Sequence, residues 1–234
     1  MSKDLKEEVY RANMRLVSAG LVTLTWGNAS GYDPETGRVA IKPSGVPYDA
    51  MTPDDIVVVD LAGKPVDGTL RPSSDLATHL EFYRNFAGVR GAVHTHSTEA
   101  TAWAQACREI PCYGTTHADV FHGPVPLTRI LTEREVAEAY ELNTGKAIVE
   151  RFASLDPIAL PGVLVAGHAP FTWGQTPAEA VDHAIALEAI AKMARLTEQI
   201  HAAPHAPTLI DYVGEKHYQR KHGKNAYYGQ VRRV

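Results

Sequence analysis

The stretch Gly91-Ala92-Val93-His94-Thr95-His96-Ser97 constrains this chain most strongly: a short apolar run ends in two histidines one residue apart. Such a run, opened by glycine and closed by small polar residues, predicts a buried strand. Side chains on a strand alternate faces, so His94 and His96 leave one face together while Thr95 leaves the other. Two imidazoles so placed either chelate one metal ion or hydrogen-bond as a partly buried pair at the strand end. Imidazole suits zinc and its first-row neighbours, and a pair of them needs one or two further donors to complete a site. No further histidine follows within a few residues, so those donors come from distant segments.

With 234 residues, 44% of them hydrophobic and 21% charged, the chain has enough apolar material for one substantial core and reads as a single domain spanning 1–234. A formal net charge of −4 argues against the concentrated basic surface of a nucleic-acid binder. The N-terminal stretch Met1 to Glu8 lacks a signal-type apolar segment, and no run approaches membrane-spanning length. A cytoplasmic protein without membrane or nucleic-acid partners is the expectation. Cys107 and Cys112 are too few for a disulfide framework and are expected to be reduced thiols.

Leu5, Val9, Ala12 and Leu16 recur at helical spacing and predict a first helix ending near Gly20. Thr25-Trp26-Gly27-Asn28-Ala29-Ser30-Gly31 then reads as a turn, either an anion-facing row of N–H groups or a plain surface connection. A short strand at Val39 to Ile41 leads into Lys42-Pro43-Ser44-Gly45, which places a cation, a hydroxyl and a glycine in one turn. Ile56 to Val59 is an apolar β-branched strand, and Gly63 to Gly68 marks a hairpin. Pro72-Ser73-Ser74-Asp75 opens a helix whose free N–H groups and positive dipole end lie beside two hydroxyls. Asp75 is also the nearest carboxylate upstream of the histidine pair, although for an isolated Asp a first-turn charge serving the helix dipole is the commoner explanation.

Thr98 to Cys107 reads as helix, and Gly114 to Asp119 as a polar loop from which Asp119 can be aimed inward. Thr132 and Glu135 form a capping box that starts a helix running to about Phe152. A strand at Gly162 to Ala166 ends at His168, and a returning strand follows at Phe171 to Gly174. His168 thus stands at a strand end, as His94 and His96 do. Pro177 opens a final long helix, on or near which His183 and His201 read as structural or exposed. The tail from Lys216 to Lys224 is basic, and Tyr227 and Tyr228 beyond it are costly to expose, so it is either a solvated terminus or a segment packed on a neighbouring subunit.

Three histidines at two strand ends with one carboxylate suit zinc, and three hydroxyl-glycine-amide turns suit a phosphate. Over nearly its whole length the chain resembles the L-ribulose-5-phosphate 4-epimerases of the class II aldolase and adducin-head superfamily. The stretches that carry the resemblance are Leu21 to Ser30, Ile41 to Gly45, Pro72 to Asp75, Val93 to Ser97, Gly114 to Asp119, Pro161 to Gly174 and Lys216 to Gln230. The resemblance implies a three-layer α/β/α fold around a mostly antiparallel sheet, assembled as a homotetramer with active sites at subunit interfaces and the 208–234 tail packed there. It implies zinc, or manganese or cobalt in its place, held by Asp75, His94, His96 and His168. Gly27, Asn28, Lys42, Ser44, Gly45, Ser73 and Ser74 would contact a phosphorylated ketopentose, with His217 and Arg220 lining the site from the tail. Asp119 and a neighbour's Tyr228 would be the two acid/base groups of a retro-aldol cleavage of C3–C4, rotation of glycolaldehyde phosphate and re-addition. The chain departs from that pattern at Gly167-His168-Ala169-Pro170, where the epimerases carry Ser-His-Gly-Pro, and Val231 to Val234 run past the shared ending. A class II sugar-phosphate aldolase, or a non-catalytic assembly domain like the adducin head, are the alternative readings.

Overall fold

A computed structural model describes residues 2–201 and 206–228. In chain order the elements are α1 (Ser2–Ser18), β1 (Gly27–Asp33), β2 (Arg38–Ile41), a 3₁₀ turn at Pro53–Asp55, β3 (Val57–Asp60), β4 (Pro65–Asp67) and α2 (Leu76–Asn85). They continue with β5 (Gly91–Thr95), α3 (Thr98–Gln105), α4 (Thr115–Ala118), α5 (Glu133–Arg151), β6 (Gly162–Leu164), β7 (Pro170–Gly174), α6 (Pro177–His201) and α7 (Asp211–His222). The strands form one sheet in the order β4-β3-β2-β1-β5-β7-β6, and every ladder in it is antiparallel.

Strand alternation sorts the core into two layers. Ala29, Ala40, Val58 and Val93 face α1 and the first turns of α6, packing on Val9, Ala12, Leu16, Val181 and Ala184. Val39, Ile41, Val57, Val59, Ala92, Phe171 and Trp173 face the other way, onto Leu76, Leu80 and Phe82 of α2 and Ile148 of α5. Helices therefore cover both faces, giving the three-layer α/β/α arrangement expected from the sequence. The capping box of α5 is present, with Thr132 Oγ1 accepting from Glu135 N–H and the Glu135 carboxylate accepting from Thr132 N–H. Among the described residues no helix is long and apolar enough to cross a membrane.

Three segments differ from their sequence reading, one of them the tail, where no helix is expected and α7 forms and packs on α4. Gly27 to Gly31 is the start of a central strand rather than a turn. Its small residues are there because the layers close tightly over it: a Cβ on Gly31 would stand 2.9 Å from both Pro177 Cγ and Val9 Cγ2. Gly114 to Asp119 contains the short helix α4 rather than an open loop, with Asp119 at its C-terminal cap. The Gly229 to Val234 end of the tail lies outside the described residues.

Gly91 marks the tightest approach to another backbone segment, since a Cβ there would lie 2.3 Å from the Thr176 carbonyl oxygen and 2.5 Å from Pro177 N. Both are backbone atoms at the start of α6 and cannot swing aside. Gly91→Ala is therefore expected to destabilise the fold by about 3 kcal/mol or more, the upper end of overpacking costs. A urea midpoint equal to that of the wild type would show that the β5–α6 junction yields instead.

Candidate active site

The sheet register assembles the site. Asn28 of β1 lies directly opposite His94 of β5, and Phe171 of β7 lies opposite it on the other side. The His94 ring stacks on Phe171 with centroids 4.2 Å apart, and its Nδ1–H donates to the Pro170 carbonyl at 3.0 Å. That leaves Nε2 of a neutral His94 with its lone pair free, 3.1 Å from Nε2 of His96. His168 enters from the turn between β6 and β7, which Gly167 makes possible at φ 72°. Donor atoms of His94, His96 and His168 all lie within 4.8 Å of one another.

Asp75 stands at the N-cap of α2 but makes no side-chain cap hydrogen bond. Its Oδ2 accepts instead from Asn28 Nδ2 at 2.6 Å. Burial alone would raise this carboxyl, but its interactions with the His94, His79 and His168 rings and the Asn28 hydrogen bond together hold it below its ordinary value. Asp75 thus acts on the histidine group as an anion although it is not one of the three clustered donors. Burial, then the neighbouring imidazoles, lowers His168 to about 4 and lowers His96 as well. Neutral imidazoles at neutral pH need shed no proton to bind a metal. Three convergent imidazoles beside a buried carboxylate fit a divalent first-row ion.

The two hydroxyl-bearing turns are stitched together next to this cluster. Ser73 N–H donates to the Lys42 carbonyl at 3.0 Å and Ser44 N–H to the Arg71 carbonyl at 2.9 Å. Lys42 is buried, and its ammonium meets the carbonyl oxygens of Val46 and Pro43 and the face of Tyr48 rather than a carboxylate. Burial lowers its pKa. Asn28 Oδ1 is buried without a hydrogen-bond partner among the described residues. A buried cation with no carboxylate partner among the described residues, hydroxyl-bearing turns and an orphan acceptor describe a place built for a charged, hydroxylated guest.

Gly27, Asn28, Lys42, Ser44, Gly45, Ser73, Ser74, Asp75, His94, His96 and His168 all line one cavity of about 590 Å³. Asp119, His217, Arg220 and Tyr228 do not line it and instead form a second cluster where α7 packs on α4 of the same chain. There Arg220 Nη2 donates to Asp119 Oδ2 at 2.7 Å, His217 Nδ1 lies 3.1 Å from Oδ1 and Lys221 Nζ lies 3.5 Å from Oδ2. The Tyr228 ring lies under the Arg220 guanidinium and the Lys221 ammonium at 4.7 Å each. Tyr140 and Glu141 of α5 also line the cavity, and sequence reasoning missed them. They sit inside a helical pattern with no glycine or proline to signal the backbone break at Ala139 (φ −166°, ψ 78°) that precedes them.

Comparison with known proteins agrees with this arrangement. A family model described as "Class II Aldolase and Adducin N-terminal domain" matches residues 7–195. A solved structure of an L-fuculose 1-phosphate aldolase is 27% identical, with a TM-score of 0.78 over 93% of this chain and 95% of that one. The l-fuculose-1-phosphate aldolase of Thermus thermophilus is 25% identical, with a TM-score of 0.63 over 87% of this chain and 98% of that one. The L-fuculose 1-phosphate aldolase of Glaciozyma antarctica shares the fold at 17% identity, with a TM-score of 0.75 over 96% and 84% of the two chains. With a family match over most of its length, a three-layer fold in common and a histidine cluster at the strand ends, the chain belongs to the class II aldolase and adducin N-terminal domain family.

Proposed function

We propose that this chain is a cytoplasmic, metal-dependent 4-epimerase that interconverts L-ribulose 5-phosphate and D-xylulose 5-phosphate. The observation that supports this reading is the union, in one cavity, of a three-histidine cluster with a carboxylate and a cradle of hydroxyls, amides and a buried lysine. His94, His96, His168 and Asp75 would hold a divalent ion, zinc or else Mn²⁺ or Co²⁺, which would supply Lewis-acid stabilisation for the negative charge that C3–C4 cleavage leaves on the sugar oxygens.

The remaining work falls to the chain's own groups. Lys42, Ser44, Gly45, Ser73 and Ser74 hold the phosphate end, so the two-carbon fragment stays bound while its carbonyl turns. Gly27 and Asn28 border the sugar from β1. Inversion at C4 puts its oxygen on opposite sides before and after, which calls for two acid/base groups, Asp119 and Tyr228. Those two stand away from the metal cavity within one chain, so this reading requires a homotetramer in which Asp119 and the 208–234 tail, with His217 and Arg220, together complete a neighbour's site.

A second reading is a sugar-phosphate aldolase that releases its two fragments, favoured by the aldolases at 27% and 25% identity. Both readings share the cleavage step. A non-catalytic assembly role is disfavoured by three clustered histidines beside a buried carboxylate. Carbon and phosphorus NMR of the metal-replete protein with L-ribulose 5-phosphate separates the three. D-xylulose 5-phosphate without free fragments is the expected result. Accumulating dihydroxyacetone and glycolaldehyde phosphate would make it an aldolase, and an unchanged spectrum would overturn the substrate assignment.

A further inference from the structure

The three clustered histidines are held in different ways. His94 is fixed by the Pro170 carbonyl and by stacking on Phe171. His168 projects from a turn whose backbone is tied by Val165 N–H to the Ala169 carbonyl and His168 N–H to the Val165 carbonyl. Those bonds fix the main chain but leave the ring free to rotate. Among the described residues the one side-chain hydrogen bond to that ring runs from Nδ1 to the Tyr140 hydroxyl at 3.2 Å.

Tyr140 reaches the ring because α5 is interrupted one residue earlier. Ala139 is extended, so the residues after it leave the line of the first two turns. Side chains take up carbonyls around the break: Asn143 Nδ2 donates to the Glu135 carbonyl at 2.8 Å and Thr144 Oγ1 to the Tyr140 carbonyl at 2.9 Å. Polar residues on the next turn thus keep the interruption in place, and its product is a phenol set against a metal-site imidazole.

We propose that Tyr140 is a positioning residue for His168. Its phenolic oxygen accepts the Nδ1–H of the neutral imidazole, which fixes the ring's rotation and leaves the Nε2 lone pair for the metal. A neutral imidazole carries one proton, so an acceptor at Nδ1 decides which nitrogen is free to ligate. Partners of this kind on a ligand's second nitrogen are commonly worth about 10- to 100-fold in metal affinity. The assignment rests on the reading of His94, His96 and His168 as metal ligands.

The test compares wild type, Tyr140→Phe and Glu138→Gln, the last removing an exposed carboxylate whose partner is Arg134. Zinc affinity is read by competition with a chromogenic chelator, ligand geometry by the visible spectrum of the Co²⁺-loaded protein, and structure by the thermal midpoint of the metal-free form. Tyr140→Phe is expected to bind zinc about 10- to 100-fold more weakly with a shifted cobalt spectrum. Its metal-free midpoint and all three readings of Glu138→Gln should match wild type. Unchanged zinc affinity and cobalt spectrum in Tyr140→Phe would overturn the role of Tyr140 alone. A wild type that takes up no metal would overturn the reading of the site, and the role of Tyr140 with it. If the metal-free midpoint of Tyr140→Phe also falls, nitrogen NMR of labelled imidazoles in the zinc-loaded wild type decides. A protonated Nδ1 on His168 supports the assignment, and a metal-bound Nδ1 overturns it.

Discussion

On the proposed function, His96→Ala is expected to yield a folded protein that has lost stoichiometric divalent metal and turns over the proposed substrate, L-ribulose 5-phosphate, at least ~10³-fold more slowly, a loss of ~4 kcal/mol of transition-state stabilisation. The choice of His96 matters. Its side chain is exposed, whereas His94 is buried against Phe171, so truncating His94 would remove core packing together with the ligand. At His96 only the donor is lost, and the two remaining imidazoles with Asp75 make a poorer chelate. Metal analysis of the purified variant, its chemical denaturation midpoint and steady-state turnover with added zinc check the three parts of the expectation. A variant with full metal content and normal turnover would take His96 out of the site. A variant that loses metal yet keeps its rate would take the metal out of the chemistry.

The parts of this site that could be read from the sequence are those set by local pattern. Gly91 to Ser97 announces both a buried strand and two imidazoles on one face, because alternation on a strand needs no knowledge of the rest of the fold. Ser73, Ser74 and Asp75 are legible for a similar reason, since a helix start exposes N–H groups wherever it lies. Gly27 to Gly31 was not legible as a strand. Glycine, serine and asparagine are poor strand formers, and the closeness of Val9 and Pro177 at Gly31, and of Val22 and the His94 carbonyl at Gly27, explains the two glycines. The facing of Asn28 and His94 depends on sheet register, which one segment alone does not encode. Tyr140 lay beyond reach for both reasons: a non-helical residue with no breaker, and a neighbour 28 positions away.

The tail poses the sharper question, because the groups assigned to proton transfer are occupied within one chain. Asp119 carries a bidentate Arg220, a His217 contact and a Lys221 at longer range. Burial opposes ionisation there, but the Arg220 and His217 hydrogen bonds and the Lys221 and Arg220 charges outweigh it and hold the carboxyl below its ordinary value. A carboxylate depressed on folding contributes stability above its unfolded pKa and loses it as pH falls through its folded one. The contact of α7 with α4 is therefore complete at neutral pH and weakens on the acid side of the ordinary carboxylate range. Asp119→Asn is expected to loosen α7, read as faster amide exchange over Asp211–His222, and to slow epimerisation.

Tyr228→Phe should leave that helix and the metal content untouched while lowering epimerisation by about 10²- to 10⁴-fold, the usual worth of a positioned acid or base. Tyr227→Phe is the control, since its equally exposed ring lies under Lys216 instead of Arg220. If Tyr228 serves a neighbour's metal site, mixing Tyr228→Phe with His96→Ala chains restores activity, because about a quarter of the interfaces in random mixed oligomers pair an intact histidine cluster with an intact Tyr228. Full activity in Tyr228→Phe alone would remove Tyr228 from the chemistry. A loss that mixing fails to repair would mean that Tyr228 acts within its own subunit, and the tail would then have to reach the cavity of the chain that carries it.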